Sequence, residues 1–275
     1  MFIVVAIITL TSDWGLSDYY VPAVKGAIYS ALPDVNVVDI THNLEPFDLR
    51  SAAFIVKNCY RNFPEGTIHI LAVETEESIE NPHIALKVNG HYFIGTDNDV
   101  FSLVIDEDPY EAVMIDVVQD TDFFTFSTRD RFVKVAAMIA KGQPLSDIGK
   151  PYELKEKFDF KPAVYGNWIR GIVIFIDAYE NVVTNVTKEL FEKVRAGRKF
   201  SIKLCHGNYE IEEISSGYQD VDMADIVALF GTHGYLEIAM NHGKASSLLG
   251  IERDSVVDIY FEDDKDSSSQ ENTLF

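Results

Sequence analysis

The run Phe2–Leu10 restricts the fold of this chain more than any other stretch. It is apolar on both faces and rich in Val and Ile, which suits a central parallel strand covered by helices on both sides. The run stops at Thr11. The segment Thr11–Lys25, TSDWGLSDYYVPAVK, then sets Asp13 and Asp18 around a Trp and a Gly and turns into a helical pattern. Open α/β sheets bind ligands where a strand passes through a short loop into a helix. A loop with two carboxylates suits a cationic or hydroxyl-rich ligand better than a phosphate. The run has no basic n-region or small-residue cleavage site, and it is far shorter than the ~20 apolar residues of a spanning helix. It reads as a buried strand of a soluble, cytoplasmic protein.

The pattern after this strand alternates. Tyr20–Leu32 reads as a helix, Val35–Ile40 as a strand, and Asp48 as the N-cap of a helix through Val56. Thr67–Val73 reads as a third strand. Ile84–Val88 and Tyr92–Gly95 flank Asn89-Gly90, a tight-hairpin signal. A short helix near Val100–Ile105, a strand near Ala112–Val118 and a helix over Arg129–Lys141 follow. The expectation is an α/β N-terminal domain, residues 1–150, with a mostly parallel sheet. Residues 151–168 are polar and irregular and read as a linker. Short β-like segments between turns over 169–261 predict a smaller β-rich, barrel-like C-terminal domain. The Ser-rich acidic segment 262–275 reads as a disordered tail.

Charge narrows the function. The net charge is −21, which argues against nucleic acid and against anionic membranes, since both are bound with Lys and Arg. Two cysteines, Cys59 and Cys205, fit neither a disulfide framework nor a metal knuckle. No GxGxxG follows Leu10, and GxxxxGK[ST] and GxSxG are absent, so two phosphate-cradling loops and the α/β-hydrolase elbow are excluded. No metal site is expected. His69 reads as a core histidine, and Asp39, Thr41 and His42 as strand-end ties. Asp13 reads either as a helix cap or as a carboxylate for a ribose diol, and its place after a buried strand favours the ligand role. Asp18 fits a first-turn carboxylate equally well. Glu74–Glu77 at the end of the third strand reads either as a general base or cation site or as a solvated loop. Trp14, Tyr19, Tyr20, Phe47 and Phe126 near these loops suit a flat cavity for an aromatic, cationic ligand.

Together these stretches resemble one family, the S-adenosylmethionine-dependent halogenases (fluorinase, chlorinase) and S-adenosylmethionine hydroxide adenosyltransferases. The resemblance rests on Ser12-Asp13-Trp14-Gly15 with Asp18, Val37–His42 with Pro46-Phe47-Asp48, Phe63–Thr67, Asp97-Asn98, Thr125–Asp130, Pro144-Leu145 with Ile148-Gly149, Ile176–Asn181, Thr184-Asn185, Gly231–Ala239 and Leu248-Leu249-Gly250. These keep their order over most of the chain.

The resemblance implies a homotrimer with its site between subunits, no cofactor, and displacement of methionine from C5′ of the adenosyl ribose by water or halide. It implies that Asp13 grips the ribose diol and that Asp18 and Asp177 meet the methionine end, with Thr232 and His233 nearby. Phe47 and Phe126 would pack along the ribose and methyl face, with Trp14 beside them. Tyr179 and Tyr218 would stack on the adenine, and Asn181 would bond its edge. The family's hydroxide-type members order the attacking water with an Asp, an Arg and a His. Here Glu74 stands in the Asp position, Asn81 about where the Arg belongs, and Ser127 in the His position. Thr128 lies where the fluorinase has a halide-side Ser. Asp99 and Glu180 each replace a Gly. The function expected is hydrolysis of S-adenosylmethionine to adenosine and methionine, with Glu74, Ser127 and Thr128 as catalytic residues. The alternatives are a non-catalytic adenosyl sensor of the same fold and, more weakly, halide as nucleophile.

Overall fold

The computed structural model describes residues 5–105, 108–119, 121, 124–155, 161–204 and 209–262. The chain forms two compact units, Met1–Phe158 and Asp159–Phe275.

The first unit holds strands β1 (Ile7–Ser12), β2 (Asn36–Thr41), β3 (Ile68–Ala72), β4 (His83–Val88), β5 (His91–Thr96), β6 (Tyr110–Ile115) and β7 (Gly149–Pro151). Its helices are α1 (Tyr20–Ala31), α2 (Leu49–Cys59), α3 (Val100–Val104) and α4 (Val133–Ala140). The expected strand at Phe2–Leu10 begins at Ile7, and Phe2–Val4 lie outside the described residues. Within β1, Ile8 and Leu10 pack against Val24 and Ile28 of α1 and Val135 and Ile139 of α4. The opposite sheet face carries α2 and α3, through Ala52, Ala53, Val56, Phe101 and Val104. Asp48 caps α2 as expected, accepting from Ser51 N–H at 3.0 Å.

The sheet order is β2-β1-β3-β5-β4-β6-β7. The pairs β1–β2, β1–β3 and β3–β5 are parallel, while β4–β5, β4–β6 and β6–β7 are antiparallel. The sheet is therefore mixed, not mostly parallel. The cause is local. Asn89 and Gly90 both adopt positive φ, 50° and 78°, so the chain reverses tightly and β4 must run against β5. The four parallel strands end at one edge, and the loops at that edge carry Asp13, Phe47, Glu74 and Asn98. The helix expected over Arg129–Lys141 opens with a π turn, Thr128–Phe132.

The second unit is antiparallel throughout. Its strands are β8 (Ala163–Tyr165), β9 (Trp168–Ile176), β10 (Val182–Thr187), β11 (Phe200–Leu204), β12 (Glu210–Ile211), β13 (Ile226–Phe230), β14 (Tyr235–Met240) and β15 (Val256–Phe261). The order is β12-β11-β15-β9-β10-β14-β13, with β8 on β9. Just past β12, the Ser215 N–H donates to the Ala228 carbonyl of β13 at 2.8 Å, so the two edge strands meet and the sheet is nearly closed like a barrel. Ile169, Val182, Phe191, Ile202, Ile238 and Ile259 fill it.

Two helices here escaped the sequence reading, α5 (Lys188–Arg195) and α6 (Ala245–Leu249). Thr187 caps α5 by accepting from Leu190 N–H at 3.1 Å, and Phe191 anchors it. The stretch 151–168 is not irregular throughout, since β8 lies in it and Pro151 pairs with Val113. The expected disordered tail falls, apart from Glu262, outside the described residues, as does Cys205. Cys59 is half-buried, and burial pushes its thiol up to about 11. His69 is fully buried.

Candidate active site

In the first unit the candidate residues gather at the ends of the parallel strands. Beyond β1, Ser12 Oγ lies 2.6 Å from His42 Nδ1, and the Gly15 N–H donates to the His42 carbonyl at 2.7 Å. His42 Nε2 stands 3.1 Å from Asp39, whose other oxygen takes Lys25 Nζ at 2.6 Å. Burial works to raise the Asp39 carboxyl, but hydrogen bonds from Lys25 and His42 outweigh it and hold the group below its usual range. This cluster fits the strand-end tie expected of it.

Neither Asp13 nor Asp18 caps α1, which starts after Tyr19 with no side-chain cap and no acidic residue in its first turn. Asp13 Oδ2 instead accepts the Phe47 backbone N–H at 2.9 Å. Asp13 thus bridges the β1 and β2 loops. Phe47 sits in the left-handed region at φ 66° and is 70% exposed. Asp18 is exposed. Trp14 lies 5.8 Å, ring to ring, from both Tyr20 and Phe126, and Phe126 is buried edge-on to Tyr20 at 5.3 Å.

Glu74 lies two residues past the end of β3. It is exposed and held at φ 49°. The Asn98 amide donates to the carbonyls of Val73 and Glu74 at 3.2 and 3.1 Å, which fixes that backbone. Asn81 is engaged elsewhere, its Oδ1 accepting from Lys155 Nζ. Ser127 and Thr128 are buried at the start of the π turn, and Thr128 Oγ1 has no hydrogen-bond partner among the described residues.

A guanidinium reaches the acidic loop from a position the sequence reading did not single out. Arg131 Nη1 lies 2.6 Å from Glu77 and donates to His83 Nδ1 at 3.0 Å. His83 Nε2 donates to the Thr75 carbonyl at 3.0 Å, which leaves Nδ1 as the acceptor. Burial lowers the His83 pKa, so the ring is neutral. Glu77, His83 and Arg131 therefore pin the loop that follows Glu74. Arg131 lies far from Glu77 and His83 in the sequence, and no local pattern there marks the cluster.

In the second unit Asp177, Tyr179, Asn181 and Tyr218 line one cavity of about 1300 Å³. Asp177 Oδ1 accepts the N–H groups of Tyr179 and Asn181 at 2.9 and 2.8 Å, and Oδ2 accepts the Asn181 amide at 3.0 Å. The Asn181 side-chain Oδ1 is thereby the end turned away from the Asp177 carboxylate, while its backbone carbonyl accepts the Asp177 N–H at 3.1 Å. Tyr179 is 77% exposed. Thr232 is exposed and, like His233, is not part of the cavity wall. The wall also includes Asp220 and Lys244, which the sequence reading missed.

Glu180 takes φ 64° where the resemblance expects Gly. Its carboxylate pairs with Lys244 Nζ at 2.6 Å and accepts the Ser247 N–H at 3.1 Å. The Lys244 and Ser247 hydrogen bonds hold its pKa at about 2. Among the described residues no three His, Cys, Asp or Glu side chains gather as a metal ion would need, and no helix is long and apolar enough to cross a membrane.

Comparison with known proteins covers nearly the whole chain. Residues 8–149 match the N-terminal domain of SAM hydroxide adenosyltransferases, and residues 171–258 match the C-terminal domain. An (R)-S-adenosyl-L-methionine hydrolase of Methanocaldococcus jannaschii is 26% identical over 93% of this chain and 96% of its own. A fluorinase of an Actinoplanes species is 25% identical over 86% of this chain and 91% of its own. A crystal structure of an uncharacterized conserved protein from Thermotoga maritima superposes with a TM-score of 0.82 at 30% identity, covering 92% of this chain and 99% of that one.

Proposed function

The chain belongs to the SAM hydroxide adenosyltransferase family, and from that premise we propose that it hydrolyses S-adenosylmethionine to adenosine and methionine. The cavity formed by Asp177, Tyr179, Asn181 and Tyr218 carries this reading. It offers carboxylate, amide and two aromatic rings, the groups that suit an amino-acid ammonium and a flat purine.

In the reaction a water oxygen bonds to C5′ while the C5′–S bond breaks. The electron pair leaves with sulfur as neutral methionine, so no general acid is needed. The attacking water gains positive charge and loses a proton. A carboxylate facing it stabilises both changes. Glu74 is assigned this role, with Ser127 and Thr128 as hydroxyls that orient the water. Asp13 grips the ribose diol, Phe47, Phe126 and Trp14 flank the ribose and methyl group, and Asp18, Thr232 and His233 lie toward the methionine end. Water is favoured over halide because Glu74 and Glu76 stand beside Glu77, whose charge Arg131 offsets, and the charge of the other two repels an anion. The protein works as a cytoplasmic homotrimer in this reading, with each site completed by a neighbouring subunit, and needs no cofactor.

Incubation of the purified protein with S-adenosylmethionine, followed by chromatography, tests the proposal. Adenosine and methionine should appear in equal amounts, with no 5′-halogenated nucleoside in added chloride or fluoride. No adenosine above a Glu74→Ala control would sink it. One observation favours the sensor alternative: Asn81 is taken up by Lys155. Tight adenosine binding with no turnover would establish that reading instead.

A further inference from the structure

Glu237 is a buried carboxylate that the proposed reaction leaves without a task. It lies on β14 and is 5% exposed. Both of its oxygens are occupied. The Tyr218 hydroxyl donates to Oε1 at 2.8 Å, and His233 Nε2 lies 3.2 Å from Oε2. The other ring nitrogen sets the direction of the second bond. The Tyr235 N–H donates to His233 Nδ1 at 3.1 Å. Nδ1 is therefore the acceptor, and Nε2 carries the proton that Oε2 receives.

Gly231 makes this arrangement possible. A Cβ there would stand 2.4 Å from His233 Nε2 and 3.0 Å from Glu237 Oε2. The carboxylate thus has two fixed donors, which a buried charge requires.

One of those donors belongs to the cavity wall. Tyr218 is 44% exposed and shares the cavity with Asp177, Tyr179 and Asn181. An exposed Tyr with a free hydroxyl would swing. Here the hydroxyl is committed to Glu237, and the ring face is what remains for a ligand. Burial and the Glu237 bond push that hydroxyl up to about 12, so it stays a donor at neutral pH.

We propose that Glu237 is a positioning residue of this cavity. It holds the Tyr218 ring as a fixed wall for the flat aromatic part of the ligand and ties that wall to the turn at 231–234. The inference rests on the adenosyl reading above. Fixing the ring before the ligand arrives removes an ordering cost from binding and leaves the chemical step alone.

The test is a double-mutant cycle. Tyr218→Phe, Glu237→Gln and the double variant are compared with the unsubstituted protein for calorimetric adenosine affinity and for KM and kcat of adenosine release. Gln offers one acceptor to two donors, so the Tyr218 anchor weakens. Each single substitution should raise Kd and KM about tenfold, with kcat within about twofold. The double variant should be no weaker than Glu237→Gln alone, because both changes cut one link. Additive losses, wild-type affinity in Tyr218→Phe, or a lower melting temperature with unchanged affinity would each overturn the inference. Should Glu237→Gln not fold, the exposed Tyr218→Phe substitution decides alone. An unsubstituted protein that binds neither adenosine nor S-adenosylmethionine overturns the adenosyl reading and this inference together. Binding that both single variants leave intact overturns only the inference.

Discussion

The two units hold their candidate residues in opposite ways. At the strand ends of the first, polar side chains serve the scaffold as well as any ligand: Asp13 holds the Phe47 amide, Asn98 holds the Glu74 carbonyl, and Arg131 spans Glu77 and His83. In the second, one cavity gathers its lining around a single carboxylate turn at Asp177. The first unit's hydrogen bonds fix several loops, whereas the second's close one turn at Asp177 and leave the Tyr179 and Tyr218 rings in the cavity wall. A substitution in the first should therefore disturb rate and fold together, and one in the second should disturb affinity.

The sharpest test replaces Asp13 and Asp177 by Ala, one at a time. Each should lower kcat/KM for adenosine formation about 100-fold, the loss expected when hydrogen bonds to a charged group are removed. Equal losses tie both units to one ligand, and a loss in one alone breaks the comparison. Glu74→Gln should lower kcat about 30-fold with calorimetric affinity unchanged, because the lost proton acceptor acts on the water. Arg131→Leu leaves Glu77 unpaired and His83 Nδ1 without its donor. Chemical denaturation should show a loss of about 2 kcal/mol.

Acid should weaken the first unit through His69. Burial first, and then its neighbour His91, lower the His69 pKa to about 3. The unfolded ring takes a proton near pH 6.5 and the folded ring does not, so the unfolded state binds more protons between those values. Stability from this group is complete above about pH 6.5 and falls progressively toward pH 3. The unfolding midpoint should drop across that window, and less steeply in His69→Gln. The smallest effect concerns the second unit. Lys244→Met should return the Glu180 carboxyl from about 2 toward the ordinary carboxylate range, which carboxyl NMR titration reads directly.

Much of the scaffold was legible because its signals are local. The apolar residues of β1, the Asp48 cap and the Asn89-Gly90 turn each act within a few residues, and each holds in the structure. Sheet direction was not legible in the same way. The turn predicted the hairpin, yet the placement of β6 and β7 beyond β4 is a long-range outcome that periodicity does not encode. The helix α5 was not legible although Thr187 is a good cap residue, because its amphipathic signal spans only eight residues between short strands.

The site divides similarly. Asp177, Tyr179 and Asn181 are sequence neighbours, and Tyr218 joins them in one cavity. Glu77, His83 and Arg131 meet only through tertiary packing. Glu237 reads in the sequence as a polar residue alternating along a strand, and its burial beside Tyr218 and His233 could not be read there.

The Asn89-Gly90 turn has a kinetic consequence. β4 and β5 pair residue against residue across it, from Val88–His91 out to His83–Thr96. β1 must instead find β2 and β3 across whole helices. Closing a two-residue loop costs little chain entropy, and closing those crossovers costs far more. The hairpin therefore forms early, and β5 then offers its free edge to β3 as a template. The strand that joins the antiparallel half to the parallel half is in this way the seed from which the edge carrying Asp13, Glu74 and Asn98 crystallises, and replacing Gly90 should slow refolding more than it speeds unfolding.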